Sequence, residues 1–319
     1  MNKKPNISFS NIVLLLAILA LLIAIGLVAY KFMTKESPTT NTVGKSQGAA
    51  TSKIAIDPSH IPIGDGKVST TEPKKGYVYS CTDDFRTSGA EHLGPWASNG
   101  YWDSTTKPMV DGNINWPNAN FTITKNNTTR TIRGNNLPVS HNTGIYPTAK
   151  TDDAYSYDRN PNSILSQPII ASLPSVPKLA ANPGCIRGPV GYMVSGVAIY
   201  SALDAAGRDA AAHEVQDLCD GHPHRGGVYH YHNLSRCVDD NNDKEKLLGY
   251  ALDGFGIFSL RDSDGNELTN DSLDECHGHT HQTQWDAEIK DIYHYHLTRE
   301  YPYSVGCYRG TATQSSLRN

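Results

Sequence analysis

The chain has 319 residues, a formal net charge of −4, and 38% hydrophobic and 19% charged residues. This length allows one large domain or two ordinary ones, since domains usually hold about 100 to 200 residues. The slightly acidic balance and the absence of basic blocks argue against a nucleic-acid-binding protein. The unusual feature is the 13 His, because nine of them lie between His222 and His296.

The first predicted element is an apolar helix near the N-terminus. The run from Ile12 to Ala29 has no charged or strongly polar side chain. As a helix it would span about 27 Å, close to the roughly 30 Å hydrocarbon core of a bilayer. It is longer than the usual apolar region of a signal peptide, and no small-x-small cleavage site follows Tyr30. We therefore predict an uncleaved transmembrane anchor at 12–31, after a short cytoplasmic N-terminus at 1–11.

The cysteines indicate the compartment. Lysines flank the apolar run on both sides and so do not decide its orientation. All six Cys follow the anchor, and an even number of Cys is typical of disulfides formed in an oxidising compartment. We therefore predict a single-pass cell-membrane protein whose C-terminal part lies outside the cytoplasm.

Two segments precede the histidine-rich part of the chain. Residues 32–70 begin with a stretch rich in Ser, Thr, Lys and Gly, which predicts a flexible linker. Residues 71–184 contain many Gly, Pro, Asn and Thr between short apolar runs, which predicts an irregular β-rich region packed on the following repeats.

The C-terminal part contains an internal duplication. The pattern that starts at Gly191-Tyr192 recurs 58 positions later, at Gly249-Tyr250. Each copy then runs through a Cys-x-Gly-His-x-His motif to a Tyr-His-Tyr-His motif, at 229–232 and at 293–296, and to a further Cys. We therefore predict a duplicated domain at 185–312, followed by a short tail at 313–319.

Local patterns within the copies favour extended structure. The apolar runs Val194–Leu203 and Tyr250–Leu260 predict buried strands. An Asp-x-x-Gly at the end of each run predicts type I turns at Asp204–Gly207 and Asp262–Gly265. The Ala-rich stretch Ala205–Leu218 predicts one helix. The predicted fold class is mainly β with a few short helices, duplicated and disulfide-bonded, after one transmembrane helix.

The paired histidines predict a metal site. Successive side chains of a strand point to opposite faces, so His230 and His232 share one face and Tyr229 and Tyr231 the other. The glycine of each Gly-His-x-His motif is expected to permit a tight turn that aims the imidazoles inward. The predicted ligands are His222, His224, His230, His232, His279, His281, His294 and His296. Imidazole ligation in an oxidising compartment suits zinc or copper.

Other features of this region leave alternatives open. The two Tyr-His-Tyr-His strands could meet at a pseudo-twofold axis in one shared site, or each copy could build its own. Tyr and His could also form a buried hydrogen-bonded layer without metal. Neighbouring side chains could bind or orient the ligands: Asp220, Asp253, Asp274, Glu275, Tyr229, Tyr231, Tyr293 and Tyr295.

The six Cys predict three disulfides but do not fix their pairing. Cross-repeat bonds such as Cys219 to Cys276 are as symmetric as bonds within each copy. The preferred pairing brackets each histidine cluster and leaves one long-range bond: Cys219 with Cys237, Cys276 with Cys307, and Cys81 with Cys185.

These motifs resemble the YHYH domain family, a group of exported proteins named after Tyr-His-Tyr-His. The resemblance rests on Gly-Arg-Asp-Ala at 207–210, His-Glu-Val-Gln-Asp-Leu-Cys at 213–219, Gly-Gly-Val-Tyr-His-Tyr-His at 226–232, Gly-Tyr-Ala-Leu-Asp-Gly-Phe at 249–255, Leu-Asp-Glu-Cys-His-Gly-His at 273–279 and Tyr-His-Tyr-His at 293–296. It covers roughly 185–310. The family has no established activity, so the resemblance implies export and no particular reaction.

Three functions remain in view. The sequence favours a membrane-anchored extracytoplasmic protein that binds zinc or copper. The alternatives are a non-catalytic envelope or adhesion module with structural Tyr and His clusters, and a metal-dependent oxidoreductase or hydrolase. No nucleophile elbow or phosphate-binding loop is present, and no catalytic residue can be named, so the sequence leaves open whether the protein is an enzyme.

Overall fold

A computed structural model describes residues 56–85, 91–239 and 244–317. The predicted anchor at 12–31 and the first part of the predicted linker lie outside these ranges. Within them, no helix combines the length and the apolar surface needed to cross a bilayer. Strands outnumber helices throughout the described chain, which confirms the mainly β class.

Small sheets precede the repeats. One three-stranded sheet has the order β1-β5-β4, and a two-stranded parallel sheet pairs β2 with β3. Antiparallel β6, β7 and β8 form another, in which Ile169, Ala171 and Leu173 of β8 are buried as strand alternation requires. The strands are β1 (Ile61–Pro62), β2 (Val68–Ser69), β3 (Val78–Tyr79), β4 (Ala97–Ser98), β5 (Tyr101–Trp102), β6 (Phe121–Lys125), β7 (Thr129–Gly134) and β8 (Ile169–Pro174).

An eight-stranded sheet carries both copies of the repeat. Its strands are β9 (Pro189–Met193), β10 (Ala198–Tyr200), β11 (Gly221–Pro223), β12 (Tyr229–Tyr231), β13 (Leu247–Ala251), β14 (Gly256–Phe258), β15 (Gly278–Trp285) and β16 (Glu288–His296). Their order across the sheet is β11-β12-β10-β9-β13-β14-β16-β15. The first copy therefore occupies one half of the sheet and the second copy the other half.

The two halves meet at a pseudo-twofold axis between β9 and β13. These strands are antiparallel, and Tyr192 pairs with Tyr250, its own counterpart in the other copy. Both tyrosines are buried. The duplication thus builds one continuous core, with the Tyr-His-Tyr-His strands β12 and β16 placed away from the axis.

Each predicted long strand of the repeat is interrupted by a turn. The run Val194–Leu203 yields only β10, and the run Tyr250–Leu260 contains the end of β13, a turn and β14. Gly196 has φ 85° and Gly254 has φ 91°, a region that residues with a Cβ avoid. The single-strand prediction was therefore wrong, because these glycines let the chain fold back.

The predicted turns are present, but the predicted helix is short. Gly207 N–H donates to the Asp204 carbonyl at 3.1 Å, and Gly265 N–H donates to the Asp262 carbonyl at 3.0 Å. The helix α1 spans only Ala210–His213. The Asp209 side chain caps its N-terminus, and the backbone is extended again at the following residue. Two short 3₁₀ helices lie at Asp153–Ser156 and Asn270–Ser272.

Three disulfides join the chain in the preferred pairing. They link Cys81 to Cys185, Cys219 to Cys237, and Cys276 to Cys307, with sequence separations of 104, 18 and 31. The cross-repeat alternative is excluded. Each short disulfide closes the loop that contains the histidines of its own copy, whereas the long one ties the N-terminal region to the start of β9.

Candidate metal centres

The first copy gathers three histidines at one edge of the eight-stranded sheet. His222 on β11 lies directly opposite His230 on β12, and His232 follows two residues after His230. One ring nitrogen from each comes within 4.8 Å of the others. All three side chains are buried, with exposed fractions of 4%, 2% and 3%. We call these residues the first cluster.

Backbone carbonyls fix the orientation of two of these imidazoles. His230 Nδ1 lies 3.1 Å from the Val228 carbonyl, and His232 Nδ1 lies 2.6 Å from the Ser201 carbonyl. A carbonyl only accepts, so Nδ1 donates and Nε2 of each neutral ring is an acceptor. The two Nε2 atoms are 2.9 Å apart. Burial holds the pKa of His230 well below its usual range, so two lone pairs face each other with no proton between them.

A carboxylate completes the first cluster. Glu214 follows α1 directly, and its Oε2 lies 3.3 Å from Nε2 of His222 and 3.3 Å from Nε2 of His232. Burial raises the pKa of Glu214 to about 7 and lowers the pKa of His222 to about 4. The group thus offers three imidazoles and one carboxylate in a desolvated setting.

The second copy gathers four histidines and a glutamate. His279 and His281 lie on β15, His294 and His296 lie on β16, and His279 is directly opposite His294. The ligand atoms of these residues and of Glu245 all come within 4.8 Å of one another. We call this group the second cluster.

The second cluster repeats the orientation of the first. His294 Nδ1 lies 2.9 Å from the Ile292 carbonyl, and His296 Nδ1 lies 2.7 Å from the Ser259 carbonyl. Their Nε2 atoms are 3.1 Å apart. The carbonyl partners are the counterparts of those in the first cluster, so the duplication preserved the direction of the ring lone pairs.

Glu245 lies among the four imidazoles. Its Oε1 is 2.9 Å from His281 Nε2, 3.1 Å from His294 Nε2 and 3.6 Å from His296 Nε2. Burial acts to raise the pKa of Glu245, but hydrogen bonds from His294, His296 and Thr283 together outweigh it and hold the pKa well below its usual range. The second cluster therefore keeps an ionised carboxylate at its centre.

Several buried atoms of both clusters lack a hydrogen bond of acceptable geometry, although three of them lie close to an atom of the other charge type in the ion-pair contacts given above. They are Glu214 Oε2, both ring nitrogens of His222, His279 Nε2 and His281 Nε2. Leaving a buried polar atom unsatisfied costs about 1–3 kcal/mol. Nitrogens less than about 4.2 Å apart can both reach the roughly 2.1 Å Zn–N distance from one point, and both Nε2 pairs meet this condition. A cation would satisfy several converging nitrogen and carboxylate atoms of each cluster at once.

The remaining predicted residues lie outside the clusters. His224 Nε2 lies 3.0 Å from the Tyr200 hydroxyl. Asp220 forms an ion pair with Arg236 at 2.8 Å. Neither Asp220 nor Glu275 belongs to a potential ligand group in the described chain. His224, Asp220 and Glu275 thus lie outside the two groups of converging ligand atoms in the described chain.

The tyrosines of the motifs support the opposite face of the strands. Tyr229 donates to Asp217 at 2.9 Å, and its counterpart Tyr293 donates to Asp274 at 3.0 Å. The hydroxyl groups of the other pair contact equivalent positions: Tyr231 lies 3.1 Å from Ser195 Oγ, and Tyr295 donates to Asp253 at 2.5 Å.

The glycine of each Gly-His-x-His serves close packing, not a turn. A Cβ on Gly221 would lie 2.3 Å from the Tyr229 ring, and one on Gly278 would lie 2.4 Å from the Tyr293 hydroxyl. Both glycines are strand residues without a positive φ. A tight turn does precede each glycine, but Asp220 (φ 59°) and His277 (φ 73°) adopt the positive φ in it. Glycine is required because the motif tyrosine occupies the space of a side chain.

The two clusters are separate sites. Five strand intervals lie between β12 and β16 in the sheet order. At about 4.8 Å per interval, the strands that carry the two histidine pairs are about 24 Å apart. The single site shared across the pseudo-twofold axis is excluded, because the axis passes between β9 and β13.

Two potential ligands, Glu214 and Glu245, were not predicted from the sequence. Glu245 has no counterpart in the first copy, where Arg187 stands 58 positions earlier, and Glu214 corresponds to Asp271 at the offset that aligns Cys219 with Cys276. Asp271 lies in the 3₁₀ helix Asn270–Ser272 and is not part of the second cluster, so the duplication pointed to neither carboxylate ligand. Glu214 carries a weak signal, since it ends the short Ala-rich segment and precedes the Cys of its copy. Glu245 carries none.

The ninth histidine of the region is structural. His277 is 1% exposed; its Nδ1 lies 2.8 Å from the His296 carbonyl and its Nε2 lies 3.0 Å from Thr298 Oγ1. It has φ 73°, and burial lowers its pKa to about 3. His277 thus holds the end of β16, whose His296 belongs to the second cluster.

We expect His277 to make the metal-free protein less stable in acid. In the unfolded chain His277 takes up a proton near pH 6.5, whereas in the folded chain it does so only near pH 3. The free energy of unfolding therefore decreases as the pH falls below 6.5. At pH 5.5 the loss is about 1.4 kcal/mol. Asparagine tolerates a positive φ, so we test the assignment with His277→Asn. Between pH 7 and 5.5 the unfolding free energy of this variant should decrease by that much less than the parent's, as measured by urea unfolding with a chelator present. An unchanged pH dependence would contradict this assignment.

Comparison with known proteins supports the resemblance seen in the motifs. Residues 170–272 match the family described as YHYH protein. No curated protein and no solved structure matches the chain. Residues 170–272 are thus similar to the YHYH protein family, and this match assigns no activity.

Proposed function

We propose that this protein is a membrane-anchored, extracytoplasmic metal-binding protein with two transition-metal sites, one in each copy of its repeat. The supporting observation is the same in both clusters. Two Nδ1 atoms donate to backbone carbonyls, so that two Nε2 atoms face each other at 2.9 Å and 3.1 Å beside a glutamate. In the first cluster burial lowers the pKa of both imidazoles, and neutral rings have no Nε2 proton to share. In the second cluster both Nε2 atoms converge on Glu245 Oε1, at 3.1 Å and 3.6 Å.

The donor sets favour zinc or copper. Imidazole nitrogen with one carboxylate suits both ions, whereas calcium and magnesium take oxygen ligands. All six cysteines are in disulfides, so thiolate ligation is not available. The carbonyl bonds to Nδ1 match the usual support of a metal-bound histidine, which fixes the ring and raises its basicity.

Metal analysis of the purified protein tests this proposal. Residues 56–319, produced with their disulfides formed, should retain two zinc or copper ions per chain after dialysis against dilute metal and then against buffer. Inductively coupled plasma mass spectrometry gives the stoichiometry. A protein that is folded by circular dichroism and yet retains no ion would refute the proposal.

Membrane anchoring is tested independently of metal. We expect the full chain to stay with the membrane fraction after a carbonate wash, because the apolar run of Ile12 to Ala29 can span the hydrocarbon core. Deleting 1–31 behind a cleavable export signal should release the domain in soluble form. Added protease should reach the domain of the full chain in intact cells, and protection there would contradict the proposed orientation.

A structural module is the second candidate. Hydrogen bonds from motif tyrosines to Asp217, Asp274 and Asp253 hold one face of the strands without any metal. This network explains the tyrosines but leaves the buried acceptors of the histidine face unsatisfied. A described cavity of about 420 Å³, lined by Trp102 and Lys107 among others, includes none of the eight predicted histidines.

A further inference from the structure

The two clusters differ in how many donors they gather and in how enclosed they are. The first holds three imidazoles, with Glu214 Oε2 3.3 Å from two of them, and its histidines are at most 4% exposed. The second holds four imidazoles and Glu245, and the side chain of His281 is 29% exposed. Duplication of one sequence has therefore produced a closed four-donor site and a partly open five-donor site.

The different contacts of one pair of counterpart histidines account for the extra donor of the second cluster. His224 and His281 are counterparts, the last His of each Gly-His-x-His. His281 Nε2 turns toward Glu245 at 2.9 Å. His224 Nε2 instead lies 3.0 Å from the Tyr200 hydroxyl, while its Nδ1 contacts the Arg225 carbonyl. His224 is thus occupied by hydrogen bonds next to the first cluster and does not belong to it.

The side chain that contacts His224 differs from its counterpart in the other copy by one hydroxyl group. Tyr200 is the counterpart of Phe258, since Ile-Tyr-Ser at 199–201 recurs as Ile-Phe-Ser at 257–259. Both rings pack on the first His of their Tyr-His-Tyr-His motif, with ring centroids 4.1 Å apart for Tyr200 and His230 and 4.6 Å apart for Phe258 and His294. The ring packing is conserved, so the hydroxyl is the difference on this side of the histidine, and Glu245, which His281 approaches, is the difference on the other.

We propose that the two sites are specialised for different ions, zinc in the first cluster and Cu(II) in the second, and that Tyr200 and Phe258 determine this difference. This inference rests on the proposed metal-binding function. Four donors in an enclosed setting fit the tetrahedral geometry of structural zinc. Four imidazoles with a carboxylate exceed that number and fit the tetragonal nitrogen and oxygen coordination of Cu(II).

Competition between the two ions tests the specialisation. Protein that holds two zinc ions receives one equivalent of Cu(II), and electron paramagnetic resonance reports the copper environment. We expect one homogeneous Cu(II) signal with multiple nitrogen couplings, and one zinc ion retained. Copper divided between two signals, or loss of both zinc ions, would overturn the proposal.

The counterpart histidines provide a matched pair of variants. His281→Ala removes the fourth imidazole of the second cluster and should weaken Cu(II) binding by more than the roughly tenfold to hundredfold that loss of a ligand-orienting residue costs. His224→Ala removes the equivalent side chain of the first copy and should leave the Cu(II) signal and zinc retention unchanged. Equal effects of the two variants would contradict the assignment of the ions.

The hydroxyl itself is tested by Tyr200→Phe, which deletes one atom. With His224 released, a second equivalent of Cu(II) should displace zinc from the first cluster and give a second multi-imidazole signal. An unchanged first site would show that Tyr200 does not set the donor number. A parent protein that binds neither ion would instead refute the proposed function, whereas two zinc ions with no selective copper uptake would refute only the specialisation.

Discussion

Replacing His294 and His296 together by alanine is expected to remove one of the two bound metal ions and to leave the other in place. The two side chains supply the facing Nε2 pair of the second cluster. The first cluster lies about 24 Å away, across five strand intervals, and shares no ligand with the second. Metal content per chain should therefore fall from two to one, as measured by mass spectrometry on protein with unchanged circular dichroism.

The control for this variant is the equivalent pair in the other copy. His230→Ala with His232→Ala should also lower the content from two to one, and all four substitutions should abolish binding. Bound metal stabilises the fold only through the sites that remain. When the free metal concentration is a thousand times the dissociation constant of a site, that site contributes about 4 kcal/mol. The metal-dependent gain in unfolding free energy should thus be smaller in either double variant. Loss of both ions from one pair of substitutions would show that the sites depend on each other.

Removing the disulfide between Cys81 and Cys185 is expected to cause the largest loss of stability among the three. It closes a loop of 104 residues, and the chain-entropy estimate for that length is about 4.7 kcal/mol. The disulfide also lies where Ile186 N–H donates to the Tyr79 carbonyl at 2.8 Å, which ties β3 to the start of the repeats. The double Cys→Ser variant avoids free thiols, and urea unfolding under non-reducing conditions gives the change.

The short disulfide of the first copy is the reference. Cys219 and Cys237 close a loop of 18 residues, for which the same estimate is about 3 kcal/mol. We expect the Cys219→Ser, Cys237→Ser variant to unfold at higher urea than the long-loop variant, but with poorer retention of metal at the first cluster, because its loop carries His222, His230 and His232. The reverse order of stability would indicate that the N-terminal region contributes little to the core.

Local sequence patterns predicted the parts of the site that depend on local geometry. Alternation along a strand put His230 and His232 on one face, and the same period applies to His294 and His296. The duplication identified which residues are counterparts. The interrupting turns at Gly196 and Gly254 were readable in principle, since both glycines lie inside apolar runs.

The sequence by itself therefore determined the β class, the paired histidines and the set of six cysteines. Only the tertiary structure decided that β9 and β13 lie between the two Tyr-His-Tyr-His strands, which makes two sites instead of one. It also decided that Glu214 and Glu245, from non-equivalent positions, join the histidines, and that Tyr200 holds His224 outside its cluster. The physical reason is that strand order and side-chain convergence depend on hydrogen bonding between distant segments, whereas periodicity specifies only the face on which a residue lies.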